Sequence, residues 1–190
     1  MPKRKSPQPI AIGPFGPCWT GKTTTMKHFA KRLPLVHIEH DKIRLFLRKK
    51  KINETEKNKI LYKYCLIFHI AKQFLLKNYS VIIDRDFATK NRNILKTVDE
   101  EAKKMKVKFF LIRIKAPKMF ILKKKKFISG EKGGMAPDRQ TTVDCHLYSL
   151  KHYNYNDLMP RAIAIIDTSK PIMLQLNRTI PFLKKEMGES

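Results

Sequence analysis

Gly16-Pro17-Cys18-Trp19-Thr20-Gly21-Lys22-Thr23 fits the pattern G-x-x-x-x-G-K-[ST], and Thr24 adds a further hydroxyl. A glycine-bearing turn that opens a helix points several backbone N–H groups at one place, and that place attracts an anion. Lys22 adds a positive charge where the β and γ phosphates of a nucleotide would lie. The Thr23 hydroxyl is a suitable ligand for Mg2+. Residues 16–24 therefore predict a binding site for ATP and Mg2+. The competing reading is an accidental Gly-Lys-Thr at a helix start. Three more polar clusters stand just after short apolar runs: Asp41 to Arg44, Asp84 to Asp86 and Asp167 to Ser169.

A phosphate loop needs a strand before it and a helix after it. Pro9–Phe15 reads as a short apolar strand and Gly21–Lys31 as a helix. Leu35–Ile38 predicts a second strand and Asp41–Lys50 a second helix. Asn53-Glu54-Thr55-Glu56 resembles a capping box that opens a long helix. Ile60, Leu61, Tyr64, Cys65, Phe68, Ala71, Phe74 and Leu75 recur along that helix at the spacing of a core stripe. Ser80–Ile83, Lys108–Ile114 and Ala162–Ile166 read as strands, with a helix over Arg92–Lys106 between the first two. Pro117 can start a helix that runs to about Lys126. Ser-Gly, Gly-Gly and Ala-Pro-Asp mark 127–142 as a mobile loop, followed by a helix over Thr142–Asp157. Ser169-Lys170-Pro171 opens the last helix.

Five strands alternating with helices predict an α/β fold. The expected form is a three-layer sandwich whose five-stranded sheet is mainly parallel, with helices on both faces. Ligands of such sheets sit at the carboxyl ends of the strands, where all of the polar clusters fall. The chain of 190 residues reads as a basic flexible tail (1–8) followed by one domain (9–186).

Hydrophobic residues make up 42% of the chain, too many for a disordered protein, and no apolar run reaches the length of a bilayer span. The expectation is a soluble, cytoplasmic protein with no membrane partner. Cys18, Cys65 and Cys145 form no CxxC and no zinc pattern with the histidines, so they read as reduced thiols, two of them in the core or lid. The net charge of +25 has two readings. Clustered lysine and arginine suit a nucleic-acid partner, because they neutralise phosphates and release counterions. Lysine spread along the whole chain, with frequent Asn and Ile, also suits the coding bias of an A/T-rich genome.

Taken together, the loop, His37-Ile38-Glu39-His40-Asp41-Lys42-Ile43-Arg44, Val81-Ile82-Ile83-Asp84-Arg85-Asp86-Phe87 and Ile165-Ile166-Asp167-Thr168-Ser169 resemble a known group. The chain is similar, from about Ile10 to Leu183, to the small P-loop kinases of the polynucleotide-kinase and zeta-toxin-like type. These are grouped with AAA-family ATPases in the P-loop NTPase superfamily, and gluconate-kinase-like enzymes are akin to them. The resemblance implies an ATP- and Mg2+-dependent kinase acting on a hydroxyl acceptor. Asp41 of D-x-x-R would take the acceptor's proton and Arg44 would hold substrate. Asp84 would stand near Mg2+ or substrate, with Asp86 a weaker candidate. Lys124 and Arg139 would act from a lid, where Lys123–Lys126 replace the arginines usual in the group. Trp19 stands where those kinases usually have glycine, at a position expected to need φ > 0. A nucleotide- or nucleic-acid-binding P-loop ATPase with little or no kinase activity is the alternative.

Overall fold

A computed structural model describes residues 5–50, 56–88, 92–121, 139–153 and 155–189. The sheet contains β1 (Ile10–Phe15), β2 (Val36–Glu39), β3 (Val81–Asp84), β4 (Lys108–Lys115) and β5 (Ala162–Asp167). The strand order is β2-β3-β1-β4-β5, and every pairing is parallel. The central strand, β1, is buried at every position and carries no charge, as expected of a strand covered on both faces.

The helices include α1 (Lys22–Arg32), α2 (His40–Lys49), α3 (Glu56–Leu76), α4 (Arg92–Lys104), α5 (Arg139–His152) and α6 (Ile172–Glu186), a 3-10 helix spans Asn156–Arg161, and 118–121 is helical after Pro117. Alternation along the strands separates two cores. Ile10, Ile12, Ile82, Ile112 and Ile114 pack with Met26 and Phe29 of α1 and Leu176 and Leu183 of α6. Ala11, Phe15, Val81, Ile83 and Leu111 pack on the other face with Ile67, Ala71 and Leu75 of α3 and Val98 of α4. The three layers are thus two helical layers around one sheet, as the alternation of elements predicts.

Several expectations need correction. The expected loop over 127–142 ends early, because α5 begins at Arg139 and not near Thr142. That helix stops at His152, and Asp157 belongs to the 3-10 turn that contains Pro160. Proline cannot supply an interior helix N–H, so the chain tightens there. Helix α4 ends at Lys104, and Lys106 takes a left-handed φ of 56°. Cys65 is exposed rather than part of the α3 stripe, and Ile67 is buried in its place. Ser6, from the stretch expected as a flexible tail, is buried: its N–H donates to Asn78 O at 2.7 Å and its Oγ meets Ser80 Oγ at 2.7 Å. Residues 1–4 and the expected capping residues 53–55 lie outside the described residues.

Candidate active site

The strand order places a topological switch between β1 and β3. The connection from β1 leads to β2 on one side of the sheet, and the connection from β3 leads to β4 on the other. Such a crevice is where open α/β sheets bind ligands. The turn after β1 and the turn after β3 meet there. Phe87 N–H donates to Pro14 O at 3.3 Å, and Gly16 N–H donates to Asp86 Oδ1 at 3.4 Å.

Each glycine of the phosphate loop is required locally. A Cβ at Gly16 would lie 2.0 Å from the carbonyl oxygen of Ile114 on the neighbouring strand. Gly21, the N-cap of α1, takes a left-handed φ of 88°, which a side chain would oppose. No side chain caps this helix, and no acidic residue occupies its first turn. The first N–H groups of a helix lack internal partners, so those around Lys22, Thr23 and Thr24 keep a positive end open to an anion. Trp19 takes a φ of 65° and is 37% exposed. The backbone at Trp19 is thus left-handed, the condition under which the sequence reading expects a bulky residue to strain the loop.

Lys22 folds back over the loop. Its Nζ donates to Gly16 O at 2.7 Å and to Pro17 O at 2.9 Å, and lies 3.3 Å from Asp86 Oδ2. Asp86 also accepts from Ala88 N–H at 3.0 Å, and Tyr155 OH reaches its Oδ2 at 3.5 Å. Burial pushes the Asp86 carboxyl above the ordinary carboxylate range, with Lys22 and the Ala88 and Gly16 N–H groups opposing that rise. Burial likewise raises the Tyr155 phenol and lowers Arg113, whose guanidinium lies over the Phe15 and Tyr155 rings at 5.3 and 4.7 Å. Asp86, ranked below Asp84 on sequence, is therefore the carboxylate in contact with the loop.

Asp84 turns the other way. Its side chain is 4% exposed and its Oδ2 meets His37 Nε2 on β2 at 2.9 Å. The register that pairs Glu39 with Asp84 brings these side chains to one edge. Glu39 in turn contacts Lys27 at 3.3 Å and Lys42 at 2.6 Å. Asp41 lies in the first turn of α2, 71% exposed, with Arg44 Nη2 3.2 Å from its Oδ1. Arg44 Nε is buried without a hydrogen-bond partner among the described residues.

Helix α5 grips the loop from outside. Cys18 N–H donates to Ser149 Oγ at 3.0 Å, and His146 Nδ1 stands 2.8 Å from Cys18 O. Ser149 Oγ donates onward to His146 O at 2.8 Å. From β5, Thr168 Oγ1 donates to Thr20 O at 2.8 Å. His146 and Ser149 carried no signal in the sequence, because each meets the loop across more than a hundred residues, and Tyr155 reaches Asp86 across 69. Arg139 opens α5, but its side chain lies outside the described residues, as do Lys124 and 127–138 of the expected lid.

No family model matches the sequence, and no curated protein does. Solved structures do match. An APS kinase from Mycobacterium tuberculosis, in complex with AMPPNP and APS, superposes with a TM-score of 0.61 at 12% identity, over 94% of this chain and 99% of that one. A gluconokinase from Sinorhizobium meliloti 1021 gives 0.56 at 12% identity, over 92% and 90%. A shikimate kinase from Bacteroides thetaiotaomicron gives 0.57 at 13% identity, over 93% and 97%.

The chain has the P-loop kinase fold.

Within the P-loop kinase fold, the residues present suit a nucleotide: an uncapped helix N-terminus, two left-handed loop positions and a lysine at the mouth. Among the described residues no group of three or more His, Cys, Asp or Glu side chains could hold a metal by itself. Mg2+ bound with nucleotide needs only one or two protein oxygens beside phosphate and water, and the Thr23 hydroxyl in the first turn of α1 would supply one. Among the described residues no helix is long and apolar enough to cross a membrane.

Proposed function

We propose that this protein is an ATP- and Mg2+-dependent phosphotransferase that moves the γ-phosphoryl group to a hydroxyl of a small acceptor. The carrying observation is the loop from Gly16 to Thr23, with Trp19 and Gly21 left-handed and Lys22 held at its mouth by Gly16 O, Pro17 O and Asp86. The solved structures with this fold support the acceptor class, since they are named as kinases of gluconate, shikimate and APS, all small molecules.

Bound ATP and Mg2+ supply the transferable group and part of the charge that neutralises it. The chain's own residues bind and orient. Lys22 exchanges its carbonyl partners for phosphate oxygens, a short movement of a flexible side chain. Thr23 would offer its hydroxyl to the metal, and Asp84 would join it by leaving its His37 contact. Asp41 takes the proton of the acceptor hydroxyl, and Arg44 helps hold the acceptor. Lys124 and Arg139 supply lid cations. Catalysis of this kind is positioning and charge neutralisation more than covalent chemistry.

The alternative, a nucleotide- or nucleic-acid-binding ATPase with weak chemistry, draws on Trp19 at a position of positive φ. Labelled ATP offered with sugars, hydroxy acids, nucleosides and 5′-hydroxyl oligonucleotides separates the two. Label on a small hydroxylated compound supports the proposal. Label on an oligonucleotide end moves the acceptor to the polynucleotide class. ATP binding with label on none of them favours the alternative.

A further inference from the structure

We infer that Cys18 and Cys145 form a reversible disulfide that fastens the phosphate loop to α5. The three cysteines are free; Cys18 lies in the phosphate loop and Cys145 on α5, the helix that holds that loop. Cys18 is the third residue of the phosphate loop. Both of its backbone polar groups are held by α5, through Ser149 Oγ at 3.0 Å and His146 Nδ1 at 2.8 Å. Cys145 directly precedes His146 and stands one helical turn before Ser149, the two residues that hold Cys18, so its side chain lies on the α5 face turned to the loop. The Cys18 backbone is thus fixed against α5 through both its N–H and its carbonyl. A disulfide of about 2.05 Å requires Cα atoms within about 7 Å of each other, and this anchoring holds the loop cysteine beside the helix that carries Cys145. Both residues are half-buried, so a small oxidant can reach them, whereas exposed Cys65 sits on α3.

The oxidant required is a peroxide. Burial and the neighbouring Cys18 thiol push the Cys145 thiol up to about 11, so Cys145 stays protonated at neutral pH. Peroxide attack then falls on Cys18: its sulfur displaces one peroxide oxygen, giving sulfenic acid and one water. The Cys145 sulfur attacks that sulfenic sulfur and loses its proton, and the hydroxyl leaves as a second water. Two thiols and one peroxide yield one disulfide and two waters. A dithiol reductant reverses the bond by exchange.

The bond would fix the phosphate loop covalently to α5. Trp19, the only tryptophan, is next to Cys18 and reports this directly. The test treats the full chain with hydrogen peroxide, then maps peptides by mass spectrometry without reduction and follows indole emission. The expected result is a Cys18–Cys145 peptide pair joined with loss of two hydrogens. Indole emission should fall as the pair forms, and both changes should reverse with dithiothreitol. In Cys145→Ser the linked pair is absent and Cys18 proceeds to sulfinic acid, while Cys65→Ser behaves as wild type. A wild-type chain in which Cys18 is oxidised singly, joins Cys65 or stays reduced would overturn the inference. Neither readout requires ATP to bind, so the outcome is independent of the proposed function.

Discussion

Lys22 Nζ stands 3.3 Å from Asp86 Oδ2, and this pair joins the phosphate loop to the turn after β3. The same carboxylate accepts the N–H groups of Gly16 and Ala88. Asp86 therefore supports the loop from behind while holding the lysine ready.

Burial raises the Asp86 carboxyl above its ordinary range, so the folded protein binds this proton more tightly than the unfolded chain. Its contribution is fully present below the ordinary aspartate value of about 3.9 and is lost as pH rises through the raised folded value. Asp86→Asn keeps an oxygen for the two N–H groups and removes the titration. The variant should gain stability relative to wild type as pH rises from about 4 toward neutrality. Thermal melts across that range would show it, and a constant difference between the two proteins would mean that Asp86 is not destabilised by burial.

Trp19 holds a φ of 65°, a left-handed conformation that opposes a bulky side chain. That strain is a property of the loop backbone and not of a contact with ligand. Trp19→Gly relieves about 1–2 kcal/mol of left-handed strain, against about 0.5–1 kcal/mol of added chain entropy in the unfolded state. Stability should change by less than about 1.5 kcal/mol on that balance, and ATP affinity should stay within roughly threefold. A large fall in affinity would show that the indole stacks on the ligand.

Ser149 is fully buried and accepts the N–H of Cys18. Ser149→Ala leaves that donor without its partner, at a cost of about 1–3 kcal/mol. Urea unfolding should show a lower midpoint at unchanged slope. An unshifted midpoint would mean that water replaces the hydroxyl at no cost.

Asp41 is 71% exposed, and its ion pairs among the described residues are with His40 and Arg44 of its own helix. Asp41→Asn should leave stability within about 0.5 kcal/mol, as surface changes usually do. If Asp41 is the base, phosphoryl transfer should fall by roughly 10² to 10⁴. Transfer at the wild-type rate in a folded variant would remove Asp41 from the mechanism.

The strands and the phosphate loop were legible because their signals are local. Ile10 to Phe15 is an apolar run ahead of a glycine turn, and the G-K-T that follows has few structural alternatives. Trp19 was legible for the same reason, since its backbone is set by its place in the turn. Asp86 was visible only as one of two carboxylates in Asp84-Arg85-Asp86. Alternation along the chain does not say which of them faces the loop; the contact of Gly16 with the turn after β3 decides it. The grip of His146 and Ser149 on Cys18 was not legible, because it depends on how α5 packs against β1's turn and on no local pattern. The start of α5 was misread for a related reason: Arg139 and Gln140 follow Ala-Pro-Asp, and turn residues masked a helix that tertiary contacts sustain.

Calorimetric titration of ATP with Mg2+ into the wild-type protein and into Lys22→Ala tests the central claim most directly. Lys22 carries the one charge within the loop and touches only loop carbonyls and Asp86 in the described contacts. The account predicts saturable one-site binding to the wild type. It also predicts an affinity at least tenfold weaker in the variant, about 1.4 kcal/mol or more, with the fold retained. Absence of binding to the wild type, or equal affinity in the two proteins, would contradict it.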